Sequence, residues 1–274
     1  MALADSEVNF LRGLVAEQTG NVITPRQAYL LEQRLTPLAQ TTGASDVHQL
    51  VAQLQSTQNT QLCESVAEAV TVNETSFFRD MHVFECLASQ IIPELVERNR
   101  DKKQINIWSA ACSSGQEPYS ILMLLRDQCS QLADWTIRIL ATDISNEMLS
   151  KTRRGVFSEL EVNRGLPDNL LKRYFHRSGA AWQIRDDLRK MVEVRRLNLT
   201  KPWTRMDVFD IVFMRNVLIY FDQRVKSDIL SRTHRTLAKD GYMFIGSAET
   251  TIGLGVPYMR EEINGTVCYR PTAC

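Results

Sequence analysis

Apolar positions in the first seventy residues recur at helical spacing. Val8, Leu11, Leu14 and Val15 share a face behind Asp5–Ser6, and Gly20 closes the run. Thr24–Pro25 is expected to cap a second helix that carries Ala28, Leu31, Leu35 and Leu38 and stops near Gly43. Ser45–Asp46 opens a third with Val47, Leu50, Val51 and Leu54. A fourth runs from about Thr60 through Leu62, Val66, Ala69 and Val70. Short loops between short helices predict a small helical bundle. After NETSFFRD (73–80), another helix is expected from roughly Met81 to Arg98.

At Ile105 the period changes. Ile105–Asn106–Ile107–Trp108 predicts a buried strand. Six small residues, 109–114, lead to Gly115, and a helical run from Tyr119 to Leu125 follows with Pro118 in its first turn. WTIRILATD (135–143) reads as a second strand, followed by a helix from Asn146 to about Arg154. Met191–Leu197 reads as a strand leading to Asn198–Leu199, and FDIVFMRN (209–216) as a strongly apolar one. A helix is then expected from Gln223 to about Lys239, closed by Asp240–Gly241. The strand 242–246, a Gly-rich loop (SAETTIGLGVP) and a last strand at 266–271 complete the pattern. This alternation predicts an α/β fold with a doubly wound sheet.

Residues 155–192 interrupt it with GVFSEL, a polar helix near Pro167–Tyr174, and two strand-like runs, Trp182–Ile184 and Met191–Val194, joined by RDDLR. They are expected to form a small antiparallel ribbon inserted in the α/β unit. The organisation read from the chain is a helical N-terminal domain over 1–72, a linker and helix over 73–104, and an α/β domain over 105–274 with its insertion at about 155–192.

Composition narrows the partners. The 274 residues are 44% hydrophobic and 23% charged with zero net charge, ordinary for a soluble globular protein and unlike a phosphate-driven nucleic-acid binder. No apolar run approaches membrane-spanning length, and MALADSEVNF has neither the basic nor the apolar segment of a secretory leader. The six cysteines form no C-x-x-C pair, so reduced thiols in a cytoplasmic protein are expected. His48, His82, His176 and His234 are not at ligand spacing, and no metal site is expected. Charge is uneven: residues 1–78 hold three Arg against eight acids, and residues 151–200 hold twelve basic residues against six acids. The second segment reads either as solvated faces or as a basic surface for an acidic partner.

The small-residue loop is the candidate chemistry. A turn without bulk lets a ligand reach backbone N–H groups at a helix N-terminus, as in nucleotide-binding α/β folds. One glycine replaces the three of a dinucleotide fingerprint, and the P-loop pattern is absent. Asp143 ends the second strand, 28 residues after Gly115, where an acid accepts ribose hydroxyls, although the spacing exceeds the usual figure of about 20. An adenosine-bearing ligand without pyrophosphate fits, and S-adenosylmethionine meets that description. Taken singly, Asp143 also reads as an N-cap for the helix at Asn146, Tyr220 as a core aromatic and Asn216 as a turn residue.

Six segments in order, NETSFFRD, IWSAACSSGQEPYSI, ATDIS, NLT, FMRNVLIYFD and the IGSAET loop, resemble the chemotaxis-receptor protein-glutamate O-methyltransferases, the CheR family. The resemblance covers nearly the whole chain. It implies an S-adenosylmethionine-dependent methyltransferase fold, Rossmann-like, with a small antiparallel β-subdomain and an all-α N-terminal domain. It implies cofactor contacts at Asn73, Thr75, Arg79, Glu117, Asp143, Asn198, Leu199, Arg215 and Asn216, with Arg79 and Tyr220 nearest the transferred methyl. The implied reaction carries that methyl to a glutamate in the cytoplasmic helical region of a chemotaxis receptor, leaving S-adenosylhomocysteine and a glutamate methyl ester. Such a carboxylate is ionised at neutral pH and needs no general base.

The implied partner is acidic, so the basic insertion and the helical domain are expected to grip it, with Arg26 and Arg34 the basic residues of the second helix. The segment Arg177–Trp182 is short and has one glycine, which implies action independent of a receptor pentapeptide tether. A monomer is expected. The competing readings are a non-catalytic S-adenosylmethionine sensor, or a methyltransferase for another protein carboxylate. An amino methyltransferase is disfavoured because Asn216 is followed by Val217–Leu218–Ile219–Tyr220 instead of N-P-P-Y.

Overall fold

Four helices open the chain: α1 (Asp5–Thr19), α2 (Tyr29–Thr41), α3 (Val47–Ser56) and α4 (Thr60–Val70). Gly20 ends α1 in the left-handed conformation at φ 73°, with its N–H on the Ala16 carbonyl. Asp46 caps α3 and Asn59 caps α4 through their side chains. Leu11, Val15, Leu31, Leu35, Leu50 and Val66 meet in one apolar core. A computed structural model describes every residue except 1, 2, 25, 26, 58, 205, 273 and 274. The expected roles of Pro25, Arg26 and Cys274 therefore lie outside the described residues. Arg34 is described, and its guanidinium donates to the carbonyls of Val70 (2.9 Å) and Thr71. It ties α2 to the end of α4, which engages the cation inside the protein.

The helix expected at 81–98 is present as α5 (Met81–Cys86) and α6 (Ile92–Arg98), joined through a π-helical turn at Leu87–Ile91. Then come β1 (Gln104–Ala110), α7 (Gln116–Gln128), β2 (Thr136–Asp143) and α8 (Asn146–Arg154). The insertion holds β3 (Val156–Phe157), α9 (Glu159–Val162), α10 (Asp168–Tyr174), β4 (Phe175–Ser178), β5 (Ala181–Ile184) and α11 (Asp186–Arg189). The chain finishes with β6 (Val192–Arg196), β7 (Phe209–Met214), α12 (Gln223–Thr236), β8 (Leu237–Ile245), β9 (Tyr258–Ile263) and β10 (Thr266–Pro271).

Seven strands form one sheet in the order β6-β2-β1-β7-β8-β10-β9, parallel except for β10 against its neighbours. Both faces are covered. Ile105, Ile107, Ile211 and Phe213 enter one core with α5, α6 and α7, while Trp108, Ala110, Val212 and Met214 enter the other with α12. The chain runs outward from β1 to β2 and β6, then returns to β7 on the other side of β1. That reversal opens a crevice at the carboxyl ends of β1 and β7.

Three expectations are corrected. The ribbon is a three-stranded antiparallel sheet, β3-β5-β4. The run at Met191–Val194 belongs instead to the main sheet, because RDDLR forms the short helix α11 and carries the chain across to β6. The last long helix ends at Thr236, not near Lys239. Asp240–Gly241 lie within β8, at the irregularity that lets Leu237 pair Phe209 while Tyr242 pairs Ile211. The segment after the Gly-rich loop contains an additional strand, β9, paired to β10 around Asn264–Gly265. Both turn residues have positive φ (50° and 77°), and that dipeptide is a hairpin signal.

The helical bundle packs on the α/β unit. The Val22 N–H donates to the Tyr220 carbonyl at 2.9 Å, the Asn198 amide to the Gln18 carbonyl at 2.7 Å, and Arg196 pairs with Glu64 and Glu68. A Cβ on Gly20 would stand 2.5 Å from Thr200 Cγ2, so only glycine allows this approach. Much of the basic 151–200 segment is answered within the chain: Arg164 pairs with Glu74, Arg173 with Asp127, Arg177 with Glu159 and Arg189 with Asp186. Within that segment only Arg196, among the described residues, pairs with carboxylates of the helical region, Glu64 and Glu68 of α4.

Candidate active site

The loop leaving β1 is strained. Ala111 (φ 55°), Ser113 (φ 51°) and Gly115 (φ 97°) are left-handed, and the first two are not glycine. Such residues cost roughly 1–3 kcal/mol each and persist where their surroundings impose them. Here the Cys112 N–H donates to the Thr142 carbonyl (2.9 Å), the Ser113 N–H to Asp143 Oδ2 (2.8 Å), and the Thr152 hydroxyl to the Ser113 carbonyl (3.0 Å). Gly115 serves packing: its Cβ would lie 2.9 Å from Thr152 Cγ2. The bulk-free positions on the crevice are Ala111, Cys112 and Ser113. Burial pushes the Cys112 thiol well above its ordinary pKa, so the residue acts as a small wall.

Asp143 ends β2, 6% exposed. Its Oδ1 accepts the Ser145 N–H at 2.9 Å and its Oδ2 that of Ser113. Ser145, not Asp143, caps α8. Each carboxylate oxygen keeps a lone pair, which leaves two adjacent acceptors suited to a vicinal diol. Burial raises the Asp143 pKa above the ordinary 3.8 despite the backbone N–H bonds. Its effect on folding therefore favours the folded state below the ordinary aspartate pKa and is lost as pH rises through its own. Its ionised form is the better acceptor, so affinity for a ribose falls as pH drops through that raised value. Asp143→Asn is expected to weaken cofactor binding roughly 10- to 100-fold, measured by calorimetry.

The linker 73–80 lies over this loop. Ser113 Oγ donates to the Asn73 carbonyl (2.7 Å), and the Phe78 N–H to Ser120 Oγ (2.9 Å). Phe77 sits edge-on to Phe157 and Phe175 of the insertion, at 4.9 and 5.8 Å, and Phe78 edge-on to Phe84. The two phenylalanines thus anchor the linker to the insertion and to α5. Asp80 (φ 60°) is held by Arg215, the first residue after β7. Arg215 donates to Asp80 Oδ2 (2.6 Å), Glu117 Oε2 (3.0 Å) and the Arg79 carbonyl (2.7 Å), while its buried Nε has no hydrogen-bond partner among the described residues. Ser109 donates to the other Glu117 oxygen at 2.8 Å.

Asn216 follows at φ 59°, its N–H on Glu249, and Tyr220 ends a 3₁₀ turn at Leu218–Tyr220. Burial raises the Tyr220 pKa, while Arg79 and Arg34 draw it down, so the phenol lies in the field of Arg79. The Arg79 guanidinium donates to the Glu74 carbonyl at 3.3 Å. The Asn198 side chain is committed to the Gln18 carbonyl and to the Thr200 N–H and hydroxyl, and its carbonyl accepts the Lys201 N–H at 3.3 Å, so its main-chain N–H is the group left for a ligand.

Asn73, Thr75, Arg79, Glu117, Asp143, Asn198, Leu199, Arg215, Asn216 and Tyr220 all line a single cleft enclosing about 950 Å³, counting its open mouth. Sequence reasoning missed Thr19 and Asn21 of the helical region, which line the same cleft without any motif to mark them, and Phe84. It also gave no role to Glu249, which the IGSAET segment contains.

A family model described as "CheR methyltransferase, SAM binding domain" matches residues 73–265. The chain is 38% identical to "Chemotaxis protein methyltransferase 1" of Pseudomonas aeruginosa, over 98% of this chain and 99% of that protein. Identity and coverage are the same for "Chemotaxis protein methyltransferase Cher2" of Pseudomonas putida. It is 33% identical to "Chemotaxis protein methyltransferase" of Vibrio parahaemolyticus, over 98% of both.

Proposed function

Because the chain belongs to the CheR methyltransferase family, we propose that it methylates glutamate side chains in the helical cytoplasmic region of chemotaxis receptors, forming γ-carboxyl methyl esters. It is an S-adenosylmethionine-dependent methyltransferase. The cleft fits that cofactor. Its lining carries three carboxylates (Glu74, Glu117, Asp143) and two guanidiniums (Arg79, Arg215), one net negative charge for a ligand with one net positive charge. Asp143 keeps acceptors for the ribose diol, and the unpartnered Nε of Arg215 is a buried donor on the same wall.

When bound, S-adenosylmethionine supplies an electrophilic methyl group on its sulfonium. The observation that carries the glutamate reading is that Arg79 and Tyr220 line one cleft together, a cation and a phenol, with no histidine among its described lining residues to take a proton from a neutral acceptor. An acceptor that is already an anion needs only to be held, and a guanidinium with a hydroxyl suits a carboxylate. In this reading Arg79 binds the acceptor carboxylate or the cofactor carboxyl, and Tyr220 orients the nucleophilic oxygen in line with the methyl. Asn73, Thr75, Glu117, Asp143, Asn198, Leu199, Arg215 and Asn216 hold the cofactor. The hairpin at Ser178–Ala181 turns within two residues, and we propose action by a monomer, independent of a pentapeptide tether.

Incubation with methyl-labelled cofactor and receptor-containing membranes tests the function. Label released as methanol by mild base is expected, and base-stable label or none would count against it. Tyr220→Phe is expected to lower kcat roughly 10-fold or more with little change in cofactor affinity. Unchanged turnover would remove Tyr220 from the chemistry.

A further inference from the structure

Glu249 is the fourth residue after β8, in the loop beside the one that carries Asn216 and Tyr220. Its carboxylate accepts three backbone N–H groups: Oε2 those of Asn216 (2.9 Å) and Gly246, Oε1 that of Ile219 (3.1 Å). Two of those donors belong to the loop after β7. The carboxylate closes on them because β7 and β8 are neighbours, with Met214 opposite Ile245. Gly246 makes the approach possible, since a Cβ there would stand 2.5 Å from Asn216 Nδ2, 2.8 Å from Glu249 Oε2 and 2.9 Å from the Asn216 nitrogen. The Glu249 N–H returns to the Gly246 carbonyl at 2.9 Å, closing the turn that presents the side chain.

The clasped loop needs such a hold. Asn216 is left-handed, a conformation that costs energy unless imposed. Between Asn216 and Tyr220 lies only the short turn Leu218–Tyr220. On the side of the helical bundle, the Val22 N–H takes the Tyr220 carbonyl. The backbone bearing Tyr220 is therefore fixed from two directions, by Glu249 at Ile219 and by Val22 at Tyr220 itself.

We propose that Glu249 is a positioning residue for methyl transfer, fixing the Asn216–Tyr220 backbone so that the Tyr220 hydroxyl meets the acceptor. This rests on the reaction proposed above. Glu249 is not among the residues that line the cleft. Its contribution is geometric, and misplacement by about 1 Å costs on the order of 100-fold in rate.

Glu249→Ala and Glu249→Gln, in the full chain, test it. Glu249→Ala is expected to lower kcat by about 10- to 100-fold while affinity for S-adenosylhomocysteine falls by less than about threefold, because the loops after β1 and β2 keep their hold. Glu249→Gln keeps one acceptor oxygen and turns an NH₂ toward another donor, so its loss should be intermediate. Hydrogen exchange in the peptide spanning 215–222 should quicken in both variants. Turnover of Glu249→Ala within about twofold of wild type would overturn the proposal, as would unchanged exchange, or lost turnover matched by an equal loss of cofactor affinity. If Glu249→Ala does not fold, the near-isosteric Glu249→Gln decides by the same criteria. Should the wild type methylate no receptor, the function reading fails, while exchange at 215–222 still tests the clasp.

Discussion

Arg215→Ala should lower the stability of the fold by about 3–5 kcal/mol, the cost of removing one partner from a buried charge cluster. The side chain is 2% exposed, and its fork joins three parts of the cleft: Asp80 of the linker, Glu117 of α7 and the carbonyl of Arg79. Without it, two carboxylates face each other with the positive charge gone. Glu117, 13% exposed, can reach little solvent, and the Ser109 hydroxyl answers only one of its oxygens. Asp80, at 30%, can move toward water, and the linker would move with it. The readout is a fall in the denaturation midpoint at unchanged slope. Arg215→Lys restores a charge but not the fork, and should recover only part of the loss. Adding Asp80→Asn and Glu117→Gln to Arg215→Met should recover more, because the uncompensated charges are then gone. An Arg215→Ala midpoint within about 0.5 kcal/mol of wild type would show that the cluster is not what holds the linker down.

The opposite separation is expected for Arg79. Replacing it with alanine should cost roughly 100-fold or more in kcat, on the scale of removing one preorganised donor, and leave stability within about 1 kcal/mol. The reason is its setting. Its backbone carbonyl is gripped by Arg215, but among the described residues its guanidinium makes one hydrogen bond, to the Glu74 carbonyl at 3.3 Å. A cation placed by its neighbours and lightly engaged itself is available to an anion that arrives. Arg79→Lys should restore a fraction of turnover, since an ammonium supplies charge without the planar fork. Single-turnover measurements with cofactor saturating would separate a loss in the transfer step from weaker binding. Wild-type transfer by Arg79→Ala would remove it from the site.

The two adjacent residues thus divide structure and chemistry, which explains what the sequence could and could not disclose. The helices, the strand–loop–helix at 104–128 and the acid at 143 were legible because period and small-residue runs are local properties. The cluster Asp80–Arg215–Glu117 was not, because its members are up to 135 residues apart and meet only when β7 lies beside β1. Arg215 was singled out as a cofactor contact, and its guanidinium proves committed mainly to the protein. β9 was missed although Asn264–Gly265 marked its hairpin, because its polar residues Arg260, Glu261 and Glu262 blur the strand alternation. The basic segment 151–200 looked like a partner surface by composition alone; Arg164 pairs with Glu74 of the linker, and the pairs of Arg196 with Glu64 and Glu68 depend on how the bundle docks.

Five of the seven non-glycine residues with positive φ among those described, Phe78, Asp80, Ala111, Ser113 and Asn216, lie on or beside the cleft. No sequence pattern announced them. Their clustering concentrates backbone strain where the linker, the loop after β1 and the loop after β7 converge, as at sites whose geometry is held ready for a ligand.

The most direct measurement of the account is the chemical identity of the methylated group. Receptor cytoplasmic fragments treated with the protein and methyl-labelled S-adenosylmethionine should, after proteolysis and mass spectrometry, carry the added methyl on glutamate side chains. The modification should be lost as methanol in mild base and absent with the Arg79→Ala variant. A methyl found on lysine or arginine, or one that resists base, would contradict a carboxylate acceptor and with it the roles given to Arg79 and Tyr220.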